Sequence, residues 1–493
     1  MEKRRRQQMK QKSQVFKILT AGLLCLSVLS GCASSTANQK AKEVTPMKPE
    51  ESNAISYDFI GGKDVMPLQG FYGPYPSWVS YNGNTLPNYF EEKYFQMIAE
   101  AGINVINYAD ANYVYVPKMI EQSLDYCEKY GLGYFVLDNR VSSNDGKVGD
   151  DEVNAAQLSE YIAEYADHPS FCGVFLIDEP RTGYFMPALE GQKDIARHGD
   201  YSKLLQYELD LNVYLNAFPV IDYNTKKEAY EKYIVEYCDT LEPKYLMWDY
   251  YLYYPKKDND QLYAYFWNMS LVREEAMKRN IPFMAAIQAG SQWNDEHAYF
   301  DSKTPYWPDE GQFNWNVNTC LAFGVQGISY FPLIQPEHFA WAGTEKDPSW
   351  DSNRNGVIGA LGNKTRWYYY VQNINKHIAV IDEVLMNSVS KGIIVSGDSA
   401  KENMKMTNCV IESGEFQELL SVNGDTIVGC FNYNGKTALY VVNHSMEYAQ
   451  NITLNFNDTH NITMMQNAET SYVKAQDLTL DMAAGEGVLL VVE

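Results

Sequence analysis

Between residues 65 and 335 the chain alternates short apolar runs with longer stretches whose apolar residues recur on a helical period. The runs are Met66–Tyr72, Ile103–Tyr108, Gly133–Asp138, Gly173–Asp178, Asn212–Phe218, Tyr245–Tyr250, Pro282–Gln288 and Gly327–Leu333. Near-continuous apolar runs are what parallel strands covered on both faces require. The helical stretches include Tyr89–Ala101, Pro117–Tyr130, Lys226–Tyr237, Leu262–Lys278 and Gln312–Phe323. Several end in a glycine before the next strand, as in Ala101-Gly102-Ile103, Tyr130-Gly131-Leu132 and Phe323-Gly324-Val325. Eight runs in strict β/α alternation predict an α/β fold, a (β/α)8 TIM barrel over residues 58–385. A doubly wound sheet would place a Gly-rich phosphate turn after its first strand, and Gln69-Gly70-Phe71-Tyr72-Gly73-Pro74 is not one.

After the helical stretch Arg366–Val384 the period shortens. Residues 390–493 carry alternating runs at Ile393–Ser396, Thr426–Asn432, Thr437–Asn443, Asn451–Phe456 and Gly487–Val492, with Asn434-Gly435-Lys436 as a hairpin turn. They predict a small C-terminal antiparallel β-sandwich.

The N-terminus has a different logic. Seven basic residues from Lys3 to Lys17 precede the apolar run Ile18–Leu29, which ends in Leu29-Ser30-Gly31-Cys32. The run is too short to span a bilayer well. The basic–apolar–small–Cys order resembles a bacterial lipobox. That resemblance implies removal of residues 1–31, acylation of Cys32, and an extracytoplasmic chain anchored to a bacterial membrane. Residues 32–57, rich in Ser, Thr, Ala, Lys and Glu, predict a flexible tether. The mature chain then holds 33 Lys and Arg against 62 Asp and Glu. A formal charge of −29 argues against nucleic acid as a partner. Its 39 Tyr and 9 Trp supply rings of the kind that pack on the apolar faces of sugars, although ordinary packing accounts for most of them.

Cys127, Cys172, Cys238 and Cys320 lie on apolar stretches and read as buried thiols. Cys409 and Cys430 fall on runs that read as neighbouring strands, where a disulfide is one option and two thiols the other. No CxxC or HExxH pattern occurs and the seven His show no ligand spacing, so neither a metal nor a cofactor is predicted.

In a barrel of parallel strands the carboxyl ends carry the chemistry. Here those ends offer Tyr72, Asp110, Asp138, Asp178-Glu179, Asp249-Tyr250, Gln288 with Trp293 beyond, and Tyr330. No run ends near a Lys, which argues against a Schiff-base aldolase. Carboxylates among aromatic walls suit glycoside hydrolysis, which needs an acid and a nucleophile or base across the scissile bond. Glu179, in Phe175-Leu176-Ile177-Asp178-Glu179-Pro180, is the candidate acid; it competes with helix capping or pairing to Arg140 or Arg181. Asp249 is the candidate second carboxylate. Tyr72, Asp110, Asp138, Asp178, Tyr250, Gln288, Trp293 and Tyr330 are the candidate substrate contacts.

Those same segments, with Leu246-Met247-Trp248-Asp249-Tyr250-Tyr251, Phe283-Met284-Ala285-Ala286-Ile287-Gln288 and Ala322–Phe331, resemble a clan of (β/α)8-barrel glycoside hydrolases. The nearest resemblance is to bacterial β-galactosidase-like proteins of the family 42 type. It covers residues 60–385 and implies an acid on strand four, which matches Glu179. It also implies a nucleophilic Glu on strand seven, where Gln288 stands instead, and an Asn where Asp178 stands. An amide cannot attack an anomeric carbon. The expected activity is therefore hydrolysis of O-glycosidic bonds with Asp249, or else Glu337, as the partner carboxylate. The competing expectations are a non-catalytic glycan-binding lipoprotein on a degenerate barrel, or a scaffolding barrel whose β-sandwich does the binding.

Overall fold

The computed structural model describes residues 65–75, 80–81, 84–85, 87–107, 117–138, 140, 160–175, 208–210, 223–241, 243, 245–252, 260–290, 308–334, 356–359 and 361–493. The signal and tether segments, including Cys32, lie outside them. Eight barrel strands are present: β1 Leu68–Phe71, β2 Val105–Asn107, β3 Gly133–Val136, β4 Phe171–Val174, β5 Glu208–Asp210, β6 Leu246–Asp249, β7 Phe283–Gln288 and β8 Ile328–Phe331. Seven parallel ladders join them in the order β4-β3-β2-β1-β8-β7-β6-β5. That is the cyclic order of a (β/α)8 barrel, open between β4 and β5 among the described pairings.

Among the described residues, six helices belong to this layer: α1 Glu92–Glu100, α2 Pro117–Tyr130, α3 Tyr223–Leu241, α4 Asp260–Arg279, α5 Glu310–Ala322 and α6 Arg366–Met386. Helix α5 begins with a capping box. Asp309 accepts from the Gln312 backbone N–H, and the Gln312 side chain accepts from the Asp309 N–H.

Two strand assignments differ from the sequence pattern. The fifth strand is Glu208–Asp210, while the predicted run Asn212–Phe218 lies outside the described residues. Its acid–apolar–acid composition hides it from a search for continuous apolar runs. The fourth strand ends at Val174 rather than Asp178, although Phe175 N–H still donates to Val136 O at 2.8 Å. Asp178 and Glu179 lie outside the described residues.

The C-terminal part is one seven-stranded antiparallel sheet. Its strands are β9 Ser388–Ser396, β10 Leu419–Asn423, β11 Thr426–Tyr433, β12 Lys436–Asn443, β13 Gln450–Gln466, β14 Glu469–Met482 and β15 Gly487–Val492. The order is β9-β11-β12-β15-β13-β10, with β14 on β13. The pairing of β13 shifts between Asn455 and His460, and this irregularity lets one sheet form two layers. Val428, Cys430, Leu439, Val441 and Leu490 of one layer share a core with Leu419, Ile452, Leu454, Leu478 and Leu480 of the other. The long β13–β14 hairpin went unpredicted because it is rich in Asn, Thr and Asp beyond Phe456. It turns on Asn467-Ala468, both at positive φ, rather than on an Asn-Gly pair.

The other face of β9, β11, β12 and β15 packs on the barrel. Ile427, Phe431, Ala438, Tyr440, Val442, Leu489 and Val491 belong to the same apolar core as the barrel. Gly429 shows how close this contact is: a Cβ there would lie 2.2 Å from Ala322 O at the end of α5. Polar groups lock the seam. Arg273 of α4 donates to Phe323 O at 3.1 Å and Ser390 Oγ at 2.9 Å, Tyr440 donates to Asn318 Oδ1 at 2.7 Å, and Asn318 donates to Gly485 O at 2.9 Å. Cys409 packs toward this barrel core while Cys430 points into the sandwich, so the two lie on opposite sides of the sheet and remain free thiols. The other four cysteines outside the signal are buried thiols, as their apolar settings predict.

Two histidines sit in the same seam. His377 of α6 accepts from Ala468 N–H at 3.4 Å and faces the Tyr440 hydroxyl at 3.5 Å. His444 packs between Phe266 and Trp315, with Asn403 at 2.9 Å and Asp425 nearby. Burial lowers both imidazoles from 6.5 to about 4. A group neutral when folded and protonated when unfolded stabilises the fold fully above pH 6.5, and that stability falls as pH drops toward 4. Each contributes on the order of 3 kcal/mol to this loss. Chemical denaturation between pH 7.5 and 4 should show a smaller acid loss in a His377→Gln/His444→Gln double variant than in the wild type. Equal losses would contradict it.

Candidate active site at the carboxyl ends of the strands

Side-chain direction is fixed by alternation along each strand. The Trp248 ring lies 5.4 Å from Tyr265 of α4, and Tyr330 reaches α6, so both face the helices. Their neighbours Asp249, Met247, Ser329 and Phe331 therefore face the barrel interior. Register carries this around the sheet. Asp249, Ala286, Ser329, Gln69 and Val105 share one inward level. Gln288 and Phe331 are partners in the next level up, where Phe71 is the partner of Asn107. Asp249 thus lies two residues deeper than Gln288, about 6–7 Å along the strand direction.

The result is a buried polar floor. Gln69, Asn107, Asp249, Gln288 and Ser329 all lie in the interior, contributed by five strands. Gln288 donates from Nε2 to Gly290 O at 2.9 Å, which fixes its amide. Among the described residues of this floor, Asp249 is the carboxylate. The ladder also places Asp210 of β5 at the register position beside Asp249.

Above the floor the mouth is aromatic. Phe71 lies 5.9 Å from Phe175 and 5.8 Å from Phe331, so rings from β1, β8 and the end of β4 meet across the barrel. Tyr251 stacks on Phe331 at 5.3 Å with an interplanar angle of 25°. Tyr72 joins them, 5.3 Å from Phe331. Its backbone is left-handed, with φ of 64°, costing about 1–3 kcal/mol for a non-glycine residue. Hydrogen bonds from Leu333 N–H to Phe71 O and from Ile334 N–H to Tyr72 O flank it.

Several sequence candidates are placed elsewhere. Tyr330 is fully buried between barrel and helices, where its hydroxyl donates to Asn375 Oδ1 at 2.5 Å, so it is a strut for α6 rather than a sugar contact. Tyr330→Phe should cost about 1–3 kcal/mol in a thermal or urea melt and leave site binding unchanged. A selective loss of sugar binding with unchanged stability would contradict that placement. Tyr250 packs edge-on against Tyr265, 5.7 Å away, and is likewise outside the mouth. Asp138 is buried in an ion pair. It accepts from Arg140 Nη2 at 2.8 Å, Nε at 3.0 Å and backbone N–H at 3.0 Å, and from the Tyr165 hydroxyl at 3.2 Å. Arg140 also holds Glu164, and these two carboxylates raise its guanidinium. A strand-end acid next to an Arg two residues on signals this structural use, which removes Asp138 from the list of sugar contacts.

Tyr72, Asp249 and Gln288 stand at the mouth or in its floor. Glu179, Asp178, Asp110, Trp293 and Glu337 lie outside the described residues. Tyr251, Phe331 and Asn107 are further inward groups that residue type alone does not single out. Parity counted from Trp248 and Tyr330 marks the first two as inward, and register with Phe71 marks Asn107.

One acidic group of described residues, Asp125, Glu128 and His168, gathers three potential metal ligands. Ser170 N–H donates to His168 Nδ1 at 3.2 Å, which leaves the proton on Nε2, facing Asp125 at 3.5 Å and Glu128 at 3.7 Å. The imidazole is a donor there, and the group sits before β4, at the opposite end of the barrel from the mouth.

No family model matches the chain, and no curated protein matches it. Solved structures do resemble it. A structure described as a glycoside hydrolase is 14% identical, with a TM-score of 0.48 over 87% of this chain and 93% of its own. A β-galactosidase from Bacillus circulans sp. alkalophilus is 9% identical, with a TM-score of 0.48 over 86% and 99%. A family 5 glycoside hydrolase from Bacteroides vulgatus is 12% identical, with a TM-score of 0.48 over 86% and 89%.

Proposed function

We propose that this chain is an exported, lipid-anchored glycoside hydrolase acting on a neutral glycan. One observation carries the reading: a buried carboxylate, Asp249, shares its floor with the amides of Asn107 and Gln288 beneath the Tyr72–Phe331–Tyr251 wall. A pyranose has an apolar C–H face for such rings and hydroxyls for such amides. Glu179 is the acid that protonates the leaving oxygen, as the strand-four resemblance implies. Asp249 is the partner carboxylate. It acts as nucleophile, or as base for a water if its separation from Glu179 is large. Specificity of the β-galactosidase type and acylation of Cys32 belong to the same proposal.

Gln288 favours a second reading, a glycan-binding lipoprotein without hydrolysis. A panel of aryl glycosides and polysaccharides separates the two. The first reading expects sugar release that is lost in Glu179→Gln. The second expects binding without release, weakened by Tyr251→Ala and indifferent to Glu179→Gln.

A further inference from the structure

One polar group of the barrel floor is left over. Ser329 of β8 is fully buried, and its Oγ has no hydrogen-bond partner among the described residues. A buried hydroxyl in that state is costly, and proteins commonly satisfy such a group with an ordered water. The register shows what surrounds it. Ser329 is the partner of Gln69 on one side and of Ala286 on the other, and Ala286 is in turn the partner of Asp249. Asp249 and Ser329 therefore flank a residue that carries only a methyl, all three at one inward level. Beneath them the barrel is apolar. Met247 and Met284 are partners one level down, and Met284 covers Gly327, where a Cβ would lie 2.6 Å from Met284 Cγ. One level up stand Gln288 and Phe331, with the Gln288 amide held by Gly290 O.

We propose that Ser329 is a positioning residue for Asp249, acting through one ordered water seated over the Ala286 methyl. The water accepts from the Ser329 hydroxyl and donates to an Asp249 carboxylate oxygen. Two strand spacings separate the two Cα atoms by about 9–10 Å. The hydroxyl and the carboxylate shorten that span as they lean over Ala286, and a water with two hydrogen bonds of about 2.8 Å bridges the remainder. Met247 and Met284 close the place from below. The water fixes the carboxylate and favours its charged form, as hydrogen bonds to a buried carboxylate do. The catalytic consequence rests on the hydrolase reading, in which Asp249 works as an ionised carboxylate in either of its roles. The water itself does not rest on it.

Two readouts test it. A high-resolution crystal structure of the wild type should show one water within about 3 Å of both Ser329 Oγ and an Asp249 oxygen. Ala286→Val, whose added methyls occupy that place, should lack it. On an aryl glycoside that the wild type cleaves, Ser329→Ala should lower kcat about tenfold with KM unchanged, the effect of one lost hydrogen bond. Ala286→Val should match that loss, and the Ser329→Ala/Ala286→Val double variant should add nothing, since both changes remove the same water. Ala286→Ser in the Ser329→Ala background places a hydroxyl beside Asp249 and should restore most of kcat. Should Ala286→Val fail to fold, Ser329→Ala and its rescue decide. Additive losses, a loss that Ala286→Ser does not rescue, or a wild-type structure without the bridging water would overturn the proposal. A wild type that releases no sugar would sink the hydrolase reading instead, and the crystal structure alone would then decide on the water.

Discussion

Replacing Glu179 by Gln should lower sugar release by about 10²–10⁴-fold while leaving the melting temperature unchanged. The amide keeps the size of the side chain and removes the proton that the leaving oxygen needs. Sugar binding should survive, because the rings of Tyr72, Tyr251 and Phe331 and the amides of Asn107 and Gln288 do not depend on that proton. The variant therefore separates turnover from affinity. Full activity in Glu179→Gln would remove this residue from the mechanism. In sequence Glu179 follows β4, five residues after Val174.

The second large effect concerns the C-terminal sheet. Deleting residues 388–493 should give an insoluble or uncooperatively melting barrel rather than a free catalytic domain. The cut would expose the apolar surface that meets Phe431, Tyr440, Leu489 and Val491. It would also strip buried partners from Arg273 and Asn318, which now bond across the seam to Ser390 and Gly485. Arg273 would keep only Phe323 O of its two acceptors there. A milder version of the same test is Gly429→Ala. The added methyl would sit 2.2 Å from Ala322 O, and the expected cost is about 1–3 kcal/mol. A truncated barrel that is soluble and melts sharply would contradict the shared core. For this reason deletion is a poor test of which part binds glycan.

Much of the barrel was legible because parallel strands and amphipathic helices leave opposite periodicities. Seven of the eight runs contain or overlap their strands, and β7 and β8 end within two residues of the predicted limits. Strand β5 was lost because Glu208-Leu209-Asp210 does not look like a buried strand. The hairpin at Asn467-Ala468 was lost because it lacks the glycine that usually marks such a turn. The site was less legible than the fold. Residue type suggested Asp138, Tyr250 and Tyr330, but parity and neighbours decide their use. Asp138 is claimed by Arg140, and the two tyrosines point at the helices. Tyr251, next to Tyr250 in sequence, has the opposite direction and reaches the mouth.

The most direct test of the central claim is a time course of reducing-sugar release by the chain freed of residues 1–31, with Glu179→Gln and Asp249→Asn at matched thermal stability. A glycoside hydrolase with this site predicts steady release by the wild type and near-background release by both variants. Binding without release by the wild type, on every glycan of the panel, would contradict it and leave a glycan-binding protein on a hydrolase-like barrel.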